Sequence, residues 1–429
     1  MIMVKADWAE FAHALGLPTW AHHAHPCFAC FCTGGPEGNM RDFQNVSPVG
    51  LPWALKDATS YEAACARCEK YVLVGSTNQL QRLLGCLAYD KRRGGSGAGG
   101  RALTKDFAEL GLLKGMRLEP CASLPDVGML DGATVPVGGL QLLFWDRRAD
   151  TLTRHRNPLL NGRTGITCQS LVADEMHTLF LGVFQDYIAA TLWQAIVEDV
   201  YNVGQGVPQE VATQLSVQRM RKYLHMWYKL QRKMCPDRPI YELQHFEVST
   251  LGTATHRTLK AKAAESGTLL RFALAVAEQH TNCLTRGRSL VKAGEALVQY
   301  MDITRKAGWR LAPSARQGLV DSALRFCSLR EACDIPFKPK QHLWLHLVVG
   351  AGHFGNPRLT ATWVDEGLNM QLAAVCRSSA SRVWNRRVLA TFSHPAGPTA
   401  KAAAKHAADL ASGLEKADGG KKEKQQTIK

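Results

Sequence analysis

The chain has 429 residues, 46% hydrophobic and 21% charged, which is the balance of a globular protein and excludes a fibrous or wholly disordered one. Its net charge of +15 is unusual, and only three of those charges fall in the tail from Lys401, where seven Lys face four acidic residues. The body is therefore basic in its own right, which suits a phosphate backbone, an anionic membrane or acidic partners. There are 13 cysteines, and Asp7 and Glu10 interrupt the apolar start before a signal-peptide core can form. A reducing compartment, nuclear or cytoplasmic, is expected, where close Cys pairs favour metal over disulfide.

In chain order, VKAD at residues 4–7 reads as a short extended segment, and DWAEFAHALGL reads as a helix closed by Gly16 and Pro18. Residues 26–69 are rich in Cys, Gly and Pro. KRRGGSGAGGR at 91–101 is a basic flexible loop whose Lys91, Arg92 and Arg93 are candidates for phosphate contacts. VPVGGLQLLFW at 135–145 reads as strand, continued by the basic RRADTLTRHR. From Asp174 to Arg330 nearly every segment has helical period, most clearly AKAAESGTLLRFALAVAEQH and GEALVQYMDITRKAGW. The apolar run at 178–197 carries Gln185, Asp186 and Gln194, so a buried or amphipathic helix is expected and not a membrane span. A helix is expected from about Thr360, and after Ala396 an Ala/Lys-rich tail of low complexity is expected to be disordered.

Several residues have the chemistry of a site. Asp7 ends a strand and precedes a helix; such an Asp is either an N-cap or a carboxylate at the active edge of an α/β sheet. Cys27 and Cys30 have zinc-knuckle spacing, since two intervening residues let both thiolates reach one ion. Their completing ligands could come from His22, His23, His25, His177 or the second pair, Cys65 and Cys68. Asp174 and His177 share one face of a helix start, as a cap with a packed His or as groups that reach one ion. Asp365 and Glu366 lie on a late helix, within a basic field that includes Lys338, Lys340, Arg358, Arg377, Arg382, Arg386 and Arg387. His342 and His346 are four apart, a metal pair by spacing, although Trp344 and three nearby Leu favour core packing.

The order of these motifs resembles the catalytic core of eukaryotic cut-and-paste transposases of the CACTA and Plavaka-like type. In KADWAEFAHALGLPTW, Asp7 matches the family's second catalytic Asp. Cys27 and Cys30 match its Cys pair, Asp174 and His177 in DEMHTLFLG its Asp-x-x-His element, and Glu366 in NPRLTATWVDEGLN its final Glu. The match runs over roughly residues 4–392. The resemblance implies an RNase H-like fold in which Asp7 and Glu366 are catalytic and hold Mg²⁺ or Mn²⁺ for phosphodiester transfer. It also implies metal-binding roles for Cys27, Cys30, Asp174 and His177, and association with DNA, in which Lys338, Lys340, Arg386 and Arg387 join the 91–93 cluster.

The expected architecture is α/β and helix-dominated. Residues 1–173 form a partial RNase H-like core with a Cys-rich zinc segment, and 174–335 form an all-helical insertion. Residues 336–395 carry the last core helices, and 396–429 form the tail. None of the six residues before Asp7 is a carboxylate, so the resemblance is to a core truncated at its N-terminus and lacking the first catalytic Asp. The chain alone is then expected not to cut DNA, and an exposed sheet edge favours homo-oligomerisation. The alternatives are a non-enzymatic, zinc-stabilised helical scaffold that binds protein or nucleic acid, and a metal-dependent hydrolase using Asp174, His177, His342 and His346.

Overall fold

The computed structural model describes residues 4–6, 26–34, 38–56, 166, 170–204, 206–363 and 365, together with the backbone of four strands between 71 and 154. The chain divides into two units, Met1–Ala361 and Thr362–Lys429. All the described strands and helices up to Thr360 belong to the first unit. The helix expected at 7–17, the basic loop at 91–101, the helix carrying Glu366 and the tail lie outside the described residues.

The described strands form two small sheets. Strand β1, Val4–Ala6, pairs in parallel with β6, Leu171–Ala173, in the register Val4↔Leu171, Lys5↔Val172 and Ala6↔Ala173. The other sheet comprises β2 (Tyr71–Gly75), β3 (Arg117–Pro120), β4 (Leu143–Asp146) and β5 (Thr151–Arg154), in the order β3-β2-β4-β5. Its β2–β4 pair is parallel and the other two are antiparallel. The strand expected at the end of 135–145 and its basic continuation are thus β4 and β5.

Helices dominate the remainder. A π-helical stretch, Met176–Val183, runs into α1, Phe184–Val197, and α2 spans Gln209–Met234. They are followed by α3 (Ala263–Gln279), α4 (Gly287–Lys306), α5 (Pro313–Leu329) and α6 (Pro339–Phe354). Proline opens α5 and α6, where its missing N–H is not needed and its fixed φ favours the helix. Helices α3 to α6 pack each on the next, α1 lies on α3, and α6 returns onto β6 and the π-helical stretch. The sequential arrangement closes a core around Trp344, Tyr187, Tyr300, Phe272 and Phe326, all fully buried. Met176–Val197 is long and apolar enough to cross a membrane, but 72% of its most apolar window is buried inside this bundle.

Close approaches explain two small residues. A methyl group at Gly294 would stand 2.2 Å from the hydroxyl of Tyr187, which donates to the Leu290 carbonyl at 3.0 Å. A methyl at Gly182 would meet the Lys340 side chain at 2.4 Å. That lysine crosses the helix to donate to the carbonyl of Leu181 at 2.7 Å, the residue whose φ of −100° and ψ of 19° interrupt the π-helical stretch. The lysine thereby places a donor on the carbonyl at the kink.

Past α6 the chain turns at Gly355, whose φ of 86° favours glycine. Asn356 is buried and its amide donates to three carbonyls at the end of α4, those of Thr304 (2.8 Å), Ala307 (3.0 Å) and Gly308 (3.3 Å). Helix C-termini leave carbonyls without partners, and the two N–H groups of this side chain are shared among the carbonyl of Thr304 in the last turn of α4 and those of the two residues just past it.

Candidate metal centre

The Cys-rich segment folds against α6 through short-range bonds. Asn39 accepts from the backbone N–H of Thr33 at 2.8 Å, Met40 returns its N–H to the Thr33 carbonyl at 3.0 Å, and Trp53 donates its indole N–H to the Asn39 carbonyl at 2.8 Å. Phe31 and Lys56 donate backbone bonds to Ala54 and Ala29, both at 2.9 Å, around the bridge between Cys30 and Leu55. This ties residues 27–33 to 53–56 and leaves Cys27, Cys30 and Cys32 fully buried.

Helix α6 brings the nitrogens. His342 and His346 lie one turn apart on one face. The start of the helix is fixed by the Lys338–Asp186 ion pair and by Lys340 on Leu181. His346 Nε2 stands 3.6 Å from Cys27 Sγ, His342 Nε2 stands 3.4 Å from Cys30 Sγ, and the two Nε2 atoms are 3.1 Å apart. All four donor atoms fall within 4.8 Å of one another, the one such group of metal-ligating side chains among the described residues.

The distances fit a tetrahedral ion. Zinc bonds of about 2.3 Å to sulfur and about 2.0–2.1 Å to nitrogen imply sulfur–nitrogen edges of about 3.5 Å and a nitrogen–nitrogen edge of about 3.3 Å. Surrounding groups are also those that orient ligands. The other ring nitrogen of His342, Nδ1, donates to the Met40 carbonyl at 3.2 Å, which leaves Nε2 unprotonated for the ion. Trp53 packs edge-on to His342 at 4.5 Å, and the Ala29 N–H donates to Cys27 Sγ at 3.3 Å. Burial lowers the pKa of His342 and so holds the imidazole neutral, the form that ligates. Burial opposes ionisation of Cys27, yet hydrogen bonds from Cys30 and Cys32 and the nearby imidazoles bring its pKa well below the ordinary value. The other two thiols shift the opposite way: contact with Cys27 and burial raise the pKa of both Cys30 and Cys32. Cys27, Cys30, His342 and His346 form a Cys₂His₂ cluster able to hold a metal such as zinc.

Among the described residues, the histidines that stand beside Cys27 and Cys30 are His342 and His346, whereas His177 pairs with Asp174. The core reading of the His pair also holds in part, because His342 is fully buried and Trp344 packs between Tyr300 and Phe326. Spacing was the available signal; the location of the partner was not. Cys32, buried beside the cluster, carries no such spacing signal, because it lies only two residues beyond Cys30.

Asp174 and His177 form a different structure. The carboxylate of Asp174 accepts from the backbone N–H groups of Met176 and His177, both at 2.9 Å, and pairs with the His177 ring. This is N-terminal capping, directly after β6. Glu175 beside it is fully buried, receives the Tyr300 hydroxyl at 3.0 Å, and has its pKa pushed up to about 7, chiefly by burial. Of the expected DNA contacts, Lys338 and Lys340 are held by Asp186 and the Leu181 carbonyl. Asp7, Lys91, Arg92, Arg93, Glu366, Arg386 and Arg387 lie outside the described residues, as do His22, His23, His25, Cys65 and Cys68. No carboxylate cluster that would take Mg²⁺ or Mn²⁺ occurs among the described residues.

No protein-family model, curated protein or solved structure matches this chain.

Proposed function

We propose that the chain is a transposase-like, DNA-associating protein of the nucleus, built on an RNase H-like core that a zinc ion fastens. The observation that carries this reading is the parallel, in-register pairing of β1 with β6. Each strand is followed in the sequence by an aspartate, Asp7 or Asp174, and the C-terminal ends of adjacent parallel strands are where α/β folds place their chemistry. The Cys₂His₂ cluster supports the same reading, since it fastens the segment that follows β1 to α6.

Helix α2 supplies a surface for the phosphate backbone. Its buried side is Val217, Met220, Leu224, Trp227 and Tyr228, and its opposite side exposes Lys222, Lys229 and Lys233 around Met226. Two other cations of the helix are engaged: Arg219 donates to the Asn202 carbonyl at 2.6 Å, and Arg232 pairs with Glu242 at 2.7 Å. The three lysines have no acidic partner among the described residues. Lys222 and Lys233 are separated by about 16 Å of helix, so they reach phosphates that are not adjacent on a strand.

The test is binding of the 429-residue chain to a labelled duplex of random sequence, followed by anisotropy across salt concentration. Affinity is expected to fall linearly in log–log form as salt rises. The absence of salt-dependent binding overturns the proposal. A second reading, a zinc-stabilised helical scaffold without nucleic acid, is favoured specifically by the buried Cys₂His₂ cluster. It predicts metal binding without duplex binding.

A further inference from the structure

The cluster contains more donors than an ion needs. Cys32 Sγ stands 3.5 Å from His342 Nε2, matching the 3.4 Å of Cys30. The sulfur–nitrogen edge of a zinc tetrahedron is about 3.5 Å, so Cys32 stands at a ligand's distance from His342, although it falls outside the group of four donors that lie within 4.8 Å of one another. His342 belongs to both possible sets: Cys27, Cys30, His342 and His346, or Cys27, Cys30, Cys32 and His342.

Charge and exposure distinguish the two sets. Two thiolates and two neutral imidazoles neutralise a divalent ion, whereas three thiolates leave one negative charge in a buried site. The first set is therefore the resting one. A counter-charge for the second is nonetheless present: the Lys56 ammonium donates to the Cys27 carbonyl at 2.5 Å and lies 5.6 Å above the Phe31 ring. Of the five donor residues, His346 alone is not fully buried. It lines a cavity of about 330 Å³ together with Phe28, Leu171, Leu347 and Phe354. It is thus the ligand with room to leave.

We propose that Cys32 is the alternate fourth ligand of this centre, replacing His346 and converting the site from Cys₂His₂ to Cys₃His while the freed imidazole turns towards the cavity. The exchange breaks one metal–nitrogen bond and forms one metal–sulfur bond. The proton of the Cys32 thiol passes to the released imidazole or to water, and no electron is transferred. This inference rests on the Cys₂His₂ assignment, and its test separates the two.

The test uses Co²⁺ in place of zinc on the full chain, with one ion bound per chain, and reads the thiolate-to-cobalt charge-transfer band. Four forms are compared: wild type, Cys32→Ser, His346→Gln and the double variant. Cys32→Ser is expected to keep the wild-type band. His346→Gln is expected to keep one ion with a band stronger by about half, three thiolates replacing two. The double variant is expected to bind at least tenfold more weakly than either single one. A His346→Gln chain that loses its ion as fully as the double variant, or keeps it with the wild-type band, overturns the proposal. A wild-type chain that takes up no Co²⁺ overturns the Cys₂His₂ assignment itself.

Should His346→Gln fail to fold, the wild-type chain loaded with Cd²⁺ provides a second measurement. The softer ion favours sulfur, so its charge-transfer absorbance should drop by about a third on Cys32→Ser. An unchanged absorbance contradicts the proposal.

Discussion

The imidazole of His342 stands 3.4 Å from the thiol of Cys30, although 312 residues of chain separate them. A metal clip across a loop of that length offsets a large closure entropy, and strands β2 to β6 and helices α1 to α5 all lie between the two ends. Removing the ion should therefore loosen the early segment more than the helical bundle. With a strong chelator, the thermal midpoint is expected to fall, and limited proteolysis is expected to cut first within residues 27–56. A chelated chain with unchanged midpoint and digestion pattern would mean that the cluster carries no metal.

Removing one ligand should have a larger effect than removing a surface group. His342→Ala deletes a donor and also leaves the Met40 carbonyl and two buried thiols without their partner. A loss of about 3 kcal/mol or more is expected from such a buried network. His353, exposed near the end of the same helix, is the control: His353→Ala should stay within about 0.5 kcal/mol. Denaturant unfolding of the two variants provides the comparison.

Glu175 gives a pH dependence with a definite sign. Burial raises its carboxyl from the ordinary 4.5 to about 7, so between those values the folded chain holds a proton that the unfolded chain has lost. Stability contributed by this group is greatest below pH 4.5, declines as pH rises towards 7, and remains lower above it. The full swing is on the order of 3 kcal/mol at about 1.36 kcal/mol per unit. Glu175→Gln keeps an acceptor for the Tyr300 hydroxyl and removes the ionisation. Its thermal midpoint is expected to exceed the wild type at about pH 8 and to match it at about pH 4.5. A variant equally stabilised, or destabilised, at both values contradicts the assignment.

Asn356 holds three carbonyls at the end of α4 with a single amide. Asn356→Asp replaces that donor with a carboxylate facing the same three oxygens, and an unpartnered buried charge is costly. A destabilisation of about 3–5 kcal/mol is expected, measured by denaturant unfolding. A change below about 1 kcal/mol would mean that this turn does not support the bundle.

On α2, Lys222→Glu, Lys229→Glu and Lys233→Glu together should lower the slope of log affinity against log salt by about 3 units, near 0.9 for each phosphate contact. Unchanged melting is expected, since all three residues are exposed. An unaltered salt slope would move the phosphate contacts away from this helix.

How much of this was legible depended on whether the signal was local. The helices α3 and α4 follow from the 3.6 period of their apolar residues, and the strand β4 from the apolar run ending at Trp145. Cys27 and Cys30 had ligand spacing, and the structure places both in the cluster of potential metal ligands. Their partners could not be read, because a sequence holds no record of which distant turn will face which. His342 and His346 carried ligand spacing inside a Leu- and Trp-rich helix, and that helix is buried around most of its circumference, so both signals were true. The strand Leu171–Ala173 carries no legible signal, because three apolar residues before a helix have no period. Its pairing with Val4–Ala6 is a tertiary fact. Lys338 and Lys340 read as free cations in a basic field; packing of α6 on the kinked helix gave each a partner instead.

The most direct measurement is the metal content of the purified chain, by elemental analysis after exhaustive dialysis. One zinc per chain is expected in the wild type, with near-complete loss in the combined variant Cys27→Ser and His342→Ala. A wild-type chain that holds no zinc, or a double variant that holds as much, contradicts a zinc-fastened core.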